Sequence, residues 1–529
     1  MAAEITPSCL RIPGRQLWPS LTLRGFQHID LAMPTEKWKL TTLAFAVTFL
    51  VEYFCVLHGF GSFYQLSGDS LCQIGYWKIL SMPWLSGSLA ASATKPGQVF
   101  IFGILHQYFT GTALRLVLAL FGAGLSLSLG LIAAEVGGAA GGVCAVFFSV
   151  GYLSEFVRVG DSTLFLLPLL FGGLYLYYCH SPRVKALGLS FLALTPLFRI
   201  EAVAAVGLVL LIHLLKREWR AFALGSVALA AGMGIWLAVL FRVQGEVSRF
   251  TSSAAAGYSP GPKVPFFAWL VRDLRGSLFQ RSAFPCLVLI LVGVAGTCLR
   301  FPKYRGYLVA FGPVLIIFVN YLFLGGYLSP RYFATAFAFG ICVGTGVLFA
   351  ILKRSPQLLP PRAALLPATV LIMAIGALFY APWVTRLVAA PPPSPLYITD
   401  GLGLYREKLV PVGSRILSED DALYVLLMND PNRFSKIYTL QSFNIADEHR
   451  RRAILADTDF IYLLKGHFPW YYLFVNATVH RPNLDSDRFR GVIEEMIRSN
   501  TSAAIYGVAL TPLLNDGTRL LLKVEHPAG

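Results

Sequence analysis

From residue 40 to residue 386 the chain alternates apolar stretches of about 17 to 23 residues with short polar turns, the length a helix needs to cross a bilayer core. The pattern predicts spans at 40–57, 113–134, 138–157, 163–179, 221–242, 283–299, 306–324, 333–351 and 364–386. The apolar stretch 186–215 is thirty residues long and would overshoot the roughly 30 Å core as one helix. Pro196 interrupts it, and Arg199 and Glu201 sit at its centre. It therefore predicts two short helices, 186–198 and 201–215, meeting at a break, for about eleven spans in all. Between the first two spans lies a loop, 58–112, whose apolar run 99–109 is too short to cross and fits an interfacial or re-entrant segment.

Basic residues orient this pattern. Positive side chains concentrate in cytoplasmic loops. With residues 1–39 as a cytoplasmic arm carrying Arg11, Arg15, Arg24, Lys37 and Lys39, the basic turns 181–185, 216–220, 300–305 and 352–362 all fall inside. The loop 58–112, the turn at 155–162, the break at 199–201 and the loop 325–332 then face outward. Reading 99–109 as a full span would reverse every later loop. No signal-peptide pattern precedes Lys39, so the first span is expected to be a retained anchor.

After the Pro-rich linker 387–395 the periodicity changes. In 396–529, strand-like runs at 422–428, 436–440, 460–464, 504–510 and 519–524 alternate with helical stretches at 447–457 and 487–499. This predicts a soluble α/β domain at the outer face. The fold class is thus a polytopic α-helical membrane protein, with 40–386 as the transmembrane domain and a periplasmic or extracytoplasmic α/β domain at the C-terminus.

Composition agrees: 56% of the 529 residues are hydrophobic and only 14% charged, against about 25% in soluble domains. The net charge of +16 is carried by residues 1–390, with 29 basic and 12 acidic side chains, while 391–529 is near neutral. Because the basic residues stand singly or in pairs between apolar spans, they read as orientation signals, not as a nucleic-acid surface. None of the eight cysteines follows Cys342, no CxxC pair occurs, and no His/Cys cluster has zinc spacing.

Ionisable groups within or beside membrane spans are functional candidates. Asp69, in LSGDSLCQ, could deprotonate a hydroxyl nucleophile, or could cap a short helix. Arg158 and Asp161, in RVGDS, form a second outer position, where Asp161 could hold a metal, a sugar hydroxyl or Arg158. Arg199 and Glu201 flank the helix break, where free backbone groups gather near a binding site. Arg331 and Tyr332 open a late helix, and Lys95 precedes Pro96; both cations suit phosphate. Together these groups describe an outer cavity with fixed cations for a phosphate leaving group and a carboxylate for an acceptor hydroxyl.

This set resembles the GT-C type of multi-spanning glycosyltransferases that use lipid-phosphate sugars, including the protein O-mannosyltransferases and the aminoarabinose transferases that modify lipid A. The resemblance covers about residues 40–350. It implies that Asp69 is the acidic residue of the first outer loop important for catalysis. It also implies that Lys95-Pro96-Gly97 lies near the lipid phosphate, that Asp161 is the second acidic position, that Arg199 and Glu201 belong to the broken-helix motif, and that Arg331-Tyr332 is the late RY pair. Departures are Asp69-Ser70 where several relatives have Asp-Glu, Gly97 in place of a second proline, and the lack of a WWD-type motif.

The expectation is inverting transfer of a sugar from a polyprenyl-phosphate donor to a hydroxyl of a cell-envelope glycan, lipid or protein. Asp69 would be the base, Lys95, Arg331 and Tyr332 the donor-phosphate contacts, and Arg158, Asp161, Arg199 and Glu201 the positioning groups. No metal ligands are assigned; metal-independent chemistry is favoured, with a divalent cation as the alternative. Partners are the lipid-linked donor, the acceptor and membrane lipids, not nucleic acid. The expected location is the bacterial inner membrane with the site facing the periplasm. The rival reading is a lipid or glycan transporter or flippase, which would favour paired inverted repeats; none is seen.

Overall fold

The computed structural model describes residues 35–59, 68–81, 95–109, 111–178, 182–244, 284–324, 330–354, 365–389, 409–418, 433–440, 448–465, 484–516 and 518–526, with 271, 275 and 443. In the membrane-type part the helices are α1 (Thr35–Gly59), α2 (Gly68–Ser81), α3 (Pro96–Tyr108), α4 (Gly111–Gly137), α5 (Ala139–Val159), α6 (Ser162–Tyr177), α7 (Pro182–Leu194), α8 (Val203–Leu215), α9 (Trp219–Gln244), α10 (Phe284–Leu299) and α11 (Gly312–Leu324). A composite helix, α12, follows over Arg331–Arg354, and then α13 (Leu365–Ala389).

Among the described residues four helical stretches are long and apolar enough to cross a membrane: Gly111–Gly137, Trp219–Arg242, Pro302–Val319 and Arg331–Arg354. Six shorter apolar helices accompany them, among them Ala139–Tyr152, Ser162–Tyr177 and Phe284–Leu299. Large side chains such as Leu224, Val227 and Leu378 stay exposed, as expected for residues whose neighbours are lipid chains.

The thirty-residue stretch breaks as its length demands. After α7 come two single 3₁₀ turns, Thr195–Leu197 and Ile200–Ala202, and between them Arg199 adopts extended backbone (φ −150°, ψ 121°). The apolar run expected at 99–109 belongs to α3, thirteen residues and so only about 20 Å long. It packs against α2 inside the first loop.

Helix α12 is not uniform: Ala334–Phe339 and Thr345–Arg354 are joined by one π turn, Gly340–Gly344, that is buried throughout. The turn lies against α10 at backbone range, since a Cβ on Gly344 would fall 2.1 Å from the Leu289 carbonyl oxygen. Only glycine permits that approach.

The C-terminal part holds a six-stranded sheet of β1 (Ser414–Ser418), β2 (Phe434–Thr439), β3 (Phe460–Leu464), β4 (Ala503–Ile505), β5 (Val508–Asn515) and β6 (Arg519–Glu525), in the order β2-β1-β3-β6-β5-β4. β1 runs parallel to β2 and β3, and the remaining pairings are antiparallel. Two helices, α14 (Glu448–Ala456) and α15 (Leu484–Ser499), match the expected helical stretches. Alternation along the strands separates two faces. Leu417, Ile461, Leu463, Leu520 and Leu522 pack with Leu455, Phe489 and Ile493 of the helices. Ile416, Ile437, Phe460, Tyr462 and Leu521 belong instead to the apolar cluster that includes the helical bundle.

One expectation is corrected here, and one strand is added. The run 504–510 is not one strand but a hairpin: Tyr506 (φ 52°) and Gly507 (φ 84°) form the turn between β4 and β5. Two left-handed residues in succession are the signature of a tight hairpin turn. Strand β1, with Arg415 inside it, was not anticipated at all. The expected run 422–428 lies outside the described residues.

A charge network ties β1 to the segment entering β3. Asp459 accepts from the Arg415 backbone N–H (2.8 Å) and from both Nε (3.2 Å) and Nη2 (2.6 Å) of its guanidinium. Asp457 accepts from Arg415 Nη1 (2.8 Å), Lys436 and Tyr438. The Arg415 guanidinium beside Asp459 holds its carboxyl below the usual carboxylate range. A depressed folded-state pKa contributes stability above the unfolded value, about 3.9, and loses it as the pH falls through the folded value. Thermal unfolding of the sheet, followed by infrared amide absorption, should therefore shift down between about pH 5 and pH 3. The Asp459→Asn protein should start lower and shift less. An equal acid shift in both proteins would remove Asp459 from the account.

Candidate functional site

Four helix starts meet at one end of the bundle, and each presents a polar side chain. Asp161 is the N-cap of α6: its Oδ1 accepts the Thr163 backbone N–H at 2.7 Å, and it follows Gly160, whose φ of 63° reverses the chain after α5. Lys95 occupies the N-cap position of α3, followed by Pro96 in its first turn. Arg199 immediately precedes the second 3₁₀ turn of the broken helix. Arg331 and Tyr332 lie in the 3₁₀ turn Pro330–Phe333 that opens α12.

Direct contacts connect them. Arg331 Nη1 approaches Asp161 Oδ2 at 3.7 Å. Arg199 donates to Glu201 Oε1 at 3.0 Å and, more weakly, to Thr163 Oγ1 at 3.4 Å. The Tyr332 ring lies between the two arginines, 5.2 Å from the Arg199 guanidinium and 5.5 Å from that of Arg331. Lys95 is within charge-interaction range of both Asp161 and Glu201. Asp161 and Arg199 are buried, whereas the Arg331 side chain is 36% exposed, so the cluster is open on the Arg331 side. Three cations thus face two carboxylates among the described residues, leaving net positive charge that suits an anion at helix N-termini.

Two glutamines hold the first loop against this cluster. Gln73 of α2 accepts the Lys95 backbone N–H at 2.9 Å, and Gln98 of α3 donates to the Gly160 carbonyl at 2.8 Å. Both are fully buried. Sequence reasoning missed them because neither is ionisable and neither stands in a recognisable motif. Gly97 has a local reason as well: a Cβ there would fall 2.6 Å from the Phe198 ring, so the second proline of related motifs has no room.

Asp69 lies in the first turn of α2, four residues before Gln73. Its side chain, like that of Arg158 near the end of α5, lies outside the described residues. Glu52 is a carboxylate that the sequence reading passed over: it sits on α1, 1% exposed, and its Oε2 has no hydrogen-bond partner among the described residues.

An apolar cavity of about 420 Å³ opens between α2, α3 and α9. Trp77, Leu80, Phe100, Ala238 and Val239 line it, with Arg242 as the one charged group among the described residues. Trp77 is fixed by donating to Gln107 Oε1 at 2.7 Å and by packing its face on Gly103.

Among the described residues no three His, Cys, Asp or Glu side chains gather into a metal site. Asp161 and Glu201 are each engaged by an arginine.

No family model and no curated protein matches the chain. Solved structures do match in fold. One is the Archaeoglobus fulgidus oligosaccharyltransferase, crystallised with Zn and sulfate. The identity is 12%, the TM-score is 0.50, and 82% of this chain and 69% of that chain are covered. Another is AglB, the oligosaccharyltransferase of the same organism, in complex with an inhibitory peptide and a dolichol-phosphate. There the identity is 13%, the TM-score 0.49, and the coverage 83% and 71%. At the level of fold, then, the chain is similar to the first of these, with a helical bundle followed by a C-terminal sheet domain.

Proposed function

We propose that the chain is a membrane glycosyltransferase that moves a sugar from a polyprenyl-phosphate donor to a hydroxyl of an envelope glycan, lipid or protein, with inversion at the anomeric carbon. The observation that carries this reading is the convergence of Lys95, Arg199 and Arg331 on buried Asp161 at four helix starts. Such an array stabilises the negative charge that develops on a departing phosphate. The oligosaccharyltransferase name of the archaeal fold neighbour agrees with it but does not carry it.

In this account the prenyl chain lies in the cavity lined by Trp77, Phe100 and Val239, with the phosphate toward Lys95 and Arg331. Asp69 takes the proton of the acceptor hydroxyl, whose oxygen attacks the anomeric carbon. The bond from that carbon to the phosphate oxygen breaks, and polyprenyl phosphate leaves with the electron pair. Asp161 and Glu201 hold Arg331 and Arg199 in place, and Arg158 stands with them as a positioning group. The reaction runs on the outer side of the membrane, and the C-terminal domain stands beside the acceptor.

Binding of polyprenyl phosphate to the detergent-solubilised chain tests the phosphate assignment. Arg331→Gln should weaken it on the order of tenfold or more, since a hydrogen bond to a charged group is worth about 1.5–3 kcal/mol. Arg220→Gln, at the other end of the bundle, should leave it unchanged. Equal affinities for wild type and Arg331→Gln would reject the assignment.

A further inference from the structure

We propose that the end of the bundle opposite the Asp161 cluster carries a built site for an anionic phospholipid. This inference does not depend on the glycosyltransferase reading. The two ends are separated by whole helices. Arg331 and Arg354 bound α12, 24 residues or about 36 Å apart. Asp161 and Gly138 lie beyond the two ends of α5, 21 residues or about 31 Å long.

Three exposed cations converge at that far end from two parts of the chain. The 3₁₀ helix Pro302–Phe311 brings Lys303, whose ammonium lies 4.6 Å from the centre of the Tyr304 ring. The last turn of α12 brings Lys353 and Arg354. The Arg354 guanidinium lies 5.0 Å over the Phe301 ring. The Lys353 ammonium sits directly over Gly138, the left-handed turn between α4 and α5, where a Cβ would come within 2.2 Å of it. Both aromatic rings are buried, and the Tyr304 hydroxyl is tied to the Glu135 carbonyl at 2.9 Å, so the platform beneath the cations is fixed. Lys303 and Arg354 both act electrostatically on the Tyr304 hydroxyl, where they outnumber the one acid that also acts there, Glu135.

Arg305 provides the contrast. Its Nε and Nη2 donate to the carbonyls of Thr297 and Cys298 at the end of α10, so its charge closes a helix and is not offered outward. Lys303 and Arg354 touch aromatic faces, and although Lys303 also donates to the Tyr304 hydroxyl, an ammonium has three donors and a guanidinium five, so donors remain for a ligand. A phosphodiester can still accept from them. The apolar stripe of α10 leads to the same place, with Val288 45%, Leu291 64% and Leu299 85% exposed. Acyl chains along that stripe would deliver a headgroup to the cations. Juxtamembrane cations are worth about 1 kcal/mol each toward anionic lipid. A headgroup phosphate with attached chains fits both halves of the site; a free phosphate fits only one.

Native mass spectrometry of the full chain, titrated with phosphatidylglycerol or with phosphatidylcholine of the same acyl chains, tests this. The first phosphatidylglycerol should be retained at a concentration on the order of tenfold lower than the first phosphatidylcholine. The single changes Lys303→Gln and Arg354→Gln should each narrow that difference, and together abolish it. Arg183→Gln with Lys185→Gln, in the neighbouring basic turn, should preserve it. Glycerol 3-phosphate should not compete. Equal retention of the two lipids, unchanged preference in the Lys303/Arg354 double variant, or full competition by glycerol 3-phosphate would each overturn the proposal.

Discussion

Replacing Asp69 by asparagine is expected to lower the rate of sugar transfer roughly 10³-fold, while the affinity for polyprenyl phosphate stays within about twofold. The expectation follows from the division of labour around α2 and α3. The donor phosphate is assigned to Lys95 and Arg331, which are held by Gln73, Gln98 and Asp161. Asparagine keeps the size and the helix-start hydrogen bonding of aspartate but cannot take a proton at neutral pH. The loss should therefore fall on kcat and leave donor binding intact. Glutamate at 69 should retain partial activity, because it keeps the base and moves it by one methylene. Near-normal turnover in Asp69→Asn would move the base to another residue.

The second large effect is on stability. Arg199→Met should destabilise the bundle by about 3–5 kcal/mol, because it leaves the Glu201 carboxylate, 21% exposed, beside a helix break without its cation. It also removes the 3.4 Å contact to Thr163 and the face-on contact with Tyr332 that connect the break to α6 and α12. Replacing both members, Arg199→Met with Glu201→Leu, should recover most of the loss, since a buried pair is worth much less than the cost of stranding one partner. Thermal unfolding in detergent distinguishes the cases. If the single change is as mild as the double one, the pair is not coupled.

The membrane pattern was legible because lipid imposes a length rule on helices. The break at Arg199 could be read from thirty apolar residues with a proline inside, and it lies where that argument put it. The short α3 was legible for the same reason. The charged members of the site stood out because ionised side chains are rare among apolar spans. The glutamines that position Lys95 carried no such signal, and their role exists only once α2, α3 and Gly160 are brought together. Glu52 was hidden differently, as a single acid in a span otherwise read as an anchor. The C-terminal sheet was half legible. FIYLL at 460–464 is a central strand buried at every position, and its sequence says so. Strand β1 carries Arg415, which a strand accommodates only because Asp457 and Asp459 receive it from another segment. The turn at Tyr506-Gly507 was missed because an aromatic residue is an unusual occupant of the left-handed region.

The most direct test follows the fate of the donor. The full chain in sealed proteoliposomes would be given a radiolabelled polyprenyl-phosphate sugar and an outer extract of envelope acceptors. The account predicts that label leaves the lipid, that polyprenyl phosphate accumulates in equal amount, and that the new glycosidic bond has the opposite anomeric configuration. Intact donor that has merely exchanged between leaflets would contradict it and make the chain a transporter.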